Sequence, residues 1–173
     1  AGREEMKREN VGNEWLLSDS EKPTGYSVIL EHESGERTIL AYRGANESLN
    51  AGDIPWDEIP CAWMYLSSLS GDLEIATRAF ESAARCGARV IWNPGGTDFA
   101  LGIKKLAPFL KKASAFIANQ EEASKLLGVP YDDVNGIFKK FDEAADGIAV
   151  MTQGPEGVYA SDGKTLWRAG TFP

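Results

Sequence analysis

Between Ala62 and Thr152 short apolar runs alternate with helix-patterned stretches, and this alternation limits the fold more than any other feature of the chain. Ala62-Trp-Met-Tyr-Leu66 is a continuous apolar run suited to a buried parallel strand. Asp72 is placed to cap a helix in which Leu73, Ala76, Phe80, Ala83 and Ala84 share one face before Gly87. Arg89–Asn93 reads as a second strand, Leu101–Lys112 as a second helix, Ala115–Ala118 as a third strand, and Gln120–Leu127 as a short helix closed by Gly128 and Pro130. A further helix, with Val134, Ile137, Phe138, Phe141 and Ala145 inward, leads to the strand Ile148–Met151. Repeated β-α steps predict right-handed crossovers, a parallel sheet covered by helices, and ligands bound outside the C-terminal strand ends. Ser67, Ser68, Asn93, Asn119 and Thr152 all come directly after predicted strands, so four strand ends line one crevice. Val158–Ala160 and Thr165–Trp167 predict a closing hairpin that turns at Asp162-Gly163.

The first third of the chain reads differently. Residues 3–9 form the exposed end of a helix with little apolar surface. Tyr26–Leu30 and Arg37–Tyr42 are β-rich runs separated by Glu33-Ser-Gly-Glu36, a hairpin signal, and residues 44–60 form a connection rich in Gly, Pro, Asn and Asp. The expected organisation is an N-terminal helix and connection over 1–23, a β-hairpin over 24–46, and an α/β core over 47–173. A two-stranded hairpin is marginal alone, so its outer face is expected to meet a neighbouring domain, a second subunit or a ligand.

A net charge of −8 argues against a sequence-independent nucleic-acid surface or an anionic-membrane surface, both of which need clustered Lys and Arg. No apolar run approaches membrane-spanning length, and the charged first ten residues are not signal-like, so the expectation is a cytoplasmic protein. Cys61 and Cys86 lack metal-ligand spacing and sit beside apolar residues, which predicts buried free thiols. With His32 the single histidine, Ser-His-Asp and His-rich zinc arrangements are excluded within this sequence. Gly163-Lys-Thr165 mimics the end of a P-loop, but the required first glycine would fall at Val158 and a strand comes next. There is no G-x-G-x-x-G, which leaves a Rossmann-like dinucleotide enzyme with little support.

Two motifs remain as candidates for chemistry. Asn119-Gln-Glu-Glu122 pairs an amide with a carboxylate where a strand gives way to a helix, a geometry suited to water-bridged Mg²⁺ and to anions at a helix N-terminus. Taken alone, the same four residues read as an N-cap with its capping box. Thr152-Gln-Gly-Pro-Glu-Gly157 succeeds another strand, and its glycines let backbone N–H groups approach phosphate or ribose, although a tight turn would also want Gly and Pro. In the hairpin region Asn46 offers donor and acceptor, and Arg43 a fork for anionic groups.

The order of these segments resembles ribokinase/PfkB-type carbohydrate kinases. Thr24–Leu30, Gly35–Leu40 and Gly44-Ala-Asn46 look like that family's lid strands; Ala62–Leu66, Asn93-Pro94, Asn119-x-x-Glu122 and Thr152-x-Gly-x-x-Gly157 come in its order. The resemblance implies an α/β fold, a ribokinase-like three-layer sandwich with a parallel sheet and a small β-hairpin lid, truncated relative to the family. It implies ATP and Mg²⁺ as cofactors, with Asn119 and Glu122 near the metal, and Thr152, Gly154 and Gly157 beside the nucleotide. It also implies Asn46, Arg43 and Ser67 near a small sugar substrate. The family's N-terminal Gly-Gly signature and its D-T-x-G-A-G-D segment, which carries the catalytic Asp, have no counterpart in these 173 residues. No catalytic residue is therefore assigned, and the expectation is the central portion of a sugar kinase, inactive alone, that pairs with a second copy through its lid or an exposed sheet edge. The competing expectation is a non-catalytic interaction protein on a kinase-derived scaffold.

Overall fold

A computed structural model describes residues 2–32 and 37–171, so the turn expected at 33–36 lies outside the described residues. The chain divides into two compact units, residues 1–55 and 56–173.

The first unit holds α1 (Gly2–Arg8), β1 (Tyr26–Glu31), β2 (Arg37–Tyr42) and two short 3-10 turns at Gly44–Glu47 and Ala51–Asp53. No residue of α1 is buried. Its fixed point is Arg3, whose guanidinium donates to the Leu16 carbonyl and, at 3.2 Å, to Ser18 Oγ. β1 and β2 pair antiparallel, with Tyr26 opposite Tyr42 and Val28 opposite Leu40. Every residue of both strands is exposed, so the apolar side chains on either face of the hairpin are uncovered within this unit.

The second unit is built on six strands: β3 (Trp63–Leu66), β4 (Arg89–Trp92), β5 (Ala115–Asn119), β6 (Ile148–Thr152), β7 (Val158–Ser161) and β8 (Leu166–Ala169). They lie in sequence order; β3 to β6 run parallel, and β7 and β8 continue the sheet antiparallel. The crossovers are α2 (Leu73–Cys86), α3 (Gly96–Phe99) with α4 (Ile103–Leu110), and α5 (Gln120–Leu127) with α6 (Val134–Ala144). Three crossovers of one hand that step the sheet in one direction place their helices on one face. Burial bears this out. Met64, Leu66, Val90, Trp92, Phe116, Ala118, Ala149 and Met151 are buried and join Phe80, Leu106, Leu110, Ile137, Phe138 and Phe141 from the helices in one core. Phe116 stands at its centre, with its ring 6.0 Å from Phe99 and 5.6 Å from Phe141.

Of the residues between these, which point to the opposite face, Ile91, Ile117 and Val150 on the inner strands are half-buried, and others are exposed. Trp63 is 52% exposed, Tyr65 62%, Ile148 44% and Trp167 50%. β3 is thus a half-covered edge strand rather than a buried one. In α2 the inward residues are Ile75, Ala76, Ala79, Phe80, Ser82 and Ala83, whereas Ala84 of the expected stripe faces solvent. The helix expected over 101–112 is present as α4, shorter by two residues at each end. Gly102, at φ +81, separates α3 from α4, since a residue in that left-handed region cannot continue a right-handed helix. The expected hairpin at Asp162-Gly163 is present, and the Asp162 carboxylate accepts from the amides of Lys164 and Thr165. Among the described residues no helix is long and apolar enough to cross a membrane.

Candidate nucleotide site at the C-terminal strand ends

Parallel strands gather the residues at their C-terminal ends on one edge of the sheet. Ser67 comes directly after β3 and is exposed, Asn93 comes directly after β4 and is half-buried, and Asn119 and Thr152 end β5 and β6. Asn119 and Thr152 are register partners on adjacent strands, both exposed. The two sequence motifs therefore meet, about 4.8 Å apart across the sheet. Ser67 lies three strands from Thr152, on the order of 14 Å away at that spacing. Arg43 and Asn46 belong to the first compact unit, where both are exposed and flank Gly44 at the first 3-10 turn.

Asn119 is the N-cap of α5. Its Oδ1 accepts from the Glu122 amide at 2.8 Å, and Glu122 Oε2 accepts from the Asn119 amide at 2.8 Å, so the capping box is closed in both directions. The box uses one oxygen from each side chain and leaves Glu122 Oε1 and the Asn119 carboxamide NH₂ pointing outside it. Buried Gln120 anchors the helix start, donating from Nε2 to the Tyr131 carbonyl at 2.8 Å. Because Glu121 and Glu122 both occupy the first turn, the positive end of α5 is already matched by its own carboxylates. A bare phosphate would meet repulsion there, whereas a hydrated divalent cation between carboxylate and phosphate fits the donor set. Among the described residues no group of three His, Cys, Asp or Glu side chains could hold a metal alone.

The second motif forms a 3-10 turn, Gly154–Glu156, that joins β6 to antiparallel β7. The Gln153 amide donates to the Gly157 carbonyl at 2.8 Å and closes the turn. Gly157 sits at φ +100, where a Cβ would collide with the Ala169 carbonyl, so both its conformation and its space require glycine. Arg168 braces the outside of the turn through Glu156 at 3.3 Å, and Thr171 Oγ1 donates to the Pro155 carbonyl at 3.2 Å.

Asp98 was not singled out by the sequence. It is 1% exposed, and its carboxylate accepts from the amides of Gly95 at 2.7 Å, Gly71 at 2.7 Å and Leu69 at 3.1 Å. One side chain thereby joins the loop after β3 to the loop after β4, fixing the backbone that carries Ser67, Ser68 and Asn93. The run Gly95-Gly-Thr-Asp98 after a strand was the available signal, a short acidic turn with glycines where a helix begins.

Among known proteins, the pfkB family carbohydrate kinase model matches residues 2–173 of this chain. The bifunctional ribokinase/ribose-5-phosphate isomerase A of Fructilactobacillus sanfranciscensis is 25% identical over 162 residues, covering 89% of this chain and 28% of that protein. The crystal structure of adenosine kinase from Sinorhizobium meliloti superposes with a TM-score of 0.82 at 19% identity, covering 99% of this chain and 54% of that one. Ribokinase from Cryptococcus neoformans in complex with ADP gives 0.73 at 18% identity, covering 99% and 58%. The chain thus spans little more than half the length of these solved neighbours, and their likeness establishes a ribokinase-like fold. A family match that extends over nearly every residue shows more: this chain belongs to the pfkB family of carbohydrate kinases.

Proposed function

We propose that this chain supplies the nucleotide-positioning half of an ATP-dependent carbohydrate kinase, a catalyst that transfers a γ-phosphoryl group to a sugar hydroxyl. The observation that carries the reading is the register pairing of Asn119 with Thr152, which sets the two motifs side by side at the ends of neighbouring parallel strands. Ligands of open α/β sheets bind outside such ends, and the Cryptococcus ribokinase was solved with ADP.

In this reading Glu122 Oε1 and the Asn119 carboxamide orient the water shell of Mg²⁺, while the capping box holds both groups in place. Thr152 and the backbone of Gly154 and Gly157 form the wall against which the nucleotide lies. Bound Mg²⁺ neutralises charge developing on the phosphoryl oxygens. Ser67, exposed after β3, is proposed as a sugar contact; for Arg43 and Asn46 the same role is carried by the family resemblance alone. Phosphoryl transfer also needs a group that takes the acceptor hydroxyl's proton as its oxygen bonds to phosphorus and the bond to the β-phosphate breaks. No D-T-x-G-A-G-D run is present among these residues to supply it. The 173-residue chain by itself is accordingly expected to bind Mg-ATP without turnover, in a cytoplasmic setting. The hairpin β1–β2, exposed along its whole length, is proposed to pair with a second copy, which analytical ultracentrifugation tests as a concentration-dependent dimer.

The test must separate ligand binding from capping. Gln satisfies a capping box as Glu does, so Glu122→Gln keeps the helix start and removes the charge. The expected result is an unchanged Tm with Mg-ATP affinity reduced at least tenfold. Equal affinity in the wild type and Glu122→Gln would reduce the motif to a cap.

A further inference from the structure

Cys61 and Cys86 are neither buried nor apart. Cys86 is exposed and Cys61 half-exposed, and the Cys86 thiol reaches the Cys61 backbone carbonyl although the two stand 25 positions apart in the sequence. Cys86 Sγ lies 3.7 Å from that carbonyl oxygen and 3.6 Å from the Ala83 carbonyl oxygen. The pair sits at the N-terminal strand ends, across the sheet from the nucleotide site, in an open groove of about 670 Å³ lined by Pro60, Trp63, Gly87 and Arg89. Both frames are fixed. Cys86 is the last residue of α2, which Gly87 terminates with the Ala88 amide bonded to the Ala83 carbonyl at 2.8 Å. Cys61 leads into β3, held by the Arg89 amide on the Ala62 carbonyl at 2.9 Å.

Two cysteines set side by side on hydrogen-bonded elements, lining one open groove, have a reaction that a lone cysteine lacks. We propose that Cys61 and Cys86 are a redox modification site, closing to an intramolecular disulfide when a peroxide oxidises them. The Cys86 thiolate attacks one oxygen of hydrogen peroxide, the O–O bond breaks, and hydroxide leaves and takes a proton to become water, giving a sulfenic acid. The Cys61 thiol then attacks that sulfur, the S–O bond breaks, and a second water leaves as the S–S bond forms. Two thiols lose two electrons in total, and one peroxide becomes two waters.

The division of labour comes from the surroundings. Desolvation of Cys86 is outweighed by hydrogen bonds with the backbone at Ala88 and Cys61, so its thiol lies below the ordinary cysteine value; desolvation and the neighbouring Cys86 push the Cys61 thiol up. Cys86 is thus the attacking group and Cys61 the resolving one. The closed ring encloses β3, the loop that carries Ser67 and Ser68, and α2. Oxidation would therefore staple the exposed edge strand of the sheet to the helix layer. None of this depends on the nucleotide reading.

Purified protein is treated with stoichiometric hydrogen peroxide, digested without reductant and mapped by mass spectrometry. The expected product is an intramolecular link between the Cys61 and Cys86 peptides, 2 Da lighter than the reduced pair and reversed by dithiothreitol, with a Tm raised by several degrees. Cys61→Ser should trap the sulfenic acid on Cys86 as a dimedone adduct, and Cys86→Ser should give neither product. Solely intermolecular disulfides, a dimedone adduct confined to Cys61, or two thiols that stay free while unfolded protein reacts would each overturn the proposal.

Discussion

The two faces of the six-stranded sheet are made from the same strands by alternate residues, yet one is a core and the other is half-buried at best. On the helix side Trp92, Phe116 and Met151 are at most 1% exposed; on the other, Trp63, Tyr65, Ile148 and Trp167 are 44–62% exposed. Composition does not separate them, since both faces are apolar. The difference lies in the crossovers: every one among the described residues returns on the same side, so the apolar surface of all three helical connections is spent on one face. A sheet side without helices is a surface in need of a partner. Asn119 and Thr152 end on this side, so the candidate site borders it.

The largest expected effect tests the contrast itself. Phe116→Ala should cost about 3–5 kcal/mol in denaturant unfolding, the range for emptying a filled aromatic site. Tyr65→Ser, on an equally regular strand, should stay within about 0.5 kcal/mol. Comparable losses would mean that this second face is covered in solution. Next comes Asp98, on the helix side, whose three amide partners depend on one carboxylate. Asp98→Asn should cost about 1.5–3 kcal/mol. Hydrogen exchange should speed up at Leu69, Gly71 and Gly95 while the amides of β5 stay protected. Smaller still, Asn119→Ala should lose about 1 kcal/mol as an N-cap, and Asn119→Asp should recover it.

The smallest effect concerns the β7–β8 turn. The amides of Thr165 and Lys164 hold the Asp162 carboxyl below its ordinary value. A depressed carboxylate contributes stability that is present above the unfolded-state value and lost as pH falls through the folded one. The destabilisation caused by Asp162→Ala should therefore be visible near neutral pH and vanish in strong acid, a comparison two melting curves settle.

Element existence was legible in the sequence because strands and helices of the second unit carry their periodicity openly; Ile137, Phe138 and Phe141 are as buried as their spacing predicts. What escaped was anything set by long-range layering. Trp63-Met-Tyr-Leu66 reads the same whether one face or both are covered, so its edge position was invisible. Cys61 and Cys86 looked unrelated because a strand and a helix separate them in the sequence while the β-α return brings their ends together. The helix expected from Leu101 begins at Ile103, a boundary that Gly102 signalled and the apolar pattern around it obscured. At the site the capping box was read correctly as geometry, since local spacing dictates it. The ligand role was not legible there, because a cap and a cation shell use the same two residue types. The expectation of a non-catalytic scaffold gains no support from the matched family, whose named members here are kinases.

The most direct test of the nucleotide reading is calorimetric titration of the 173-residue chain with Mg-ATP, beside Glu122→Gln and Gly157→Val. The account predicts saturable one-site binding in the wild type, at least tenfold weaker in Glu122→Gln and absent in Gly157→Val. No heat at millimolar Mg-ATP in a folded wild type, or binding that both variants retain, would contradict it.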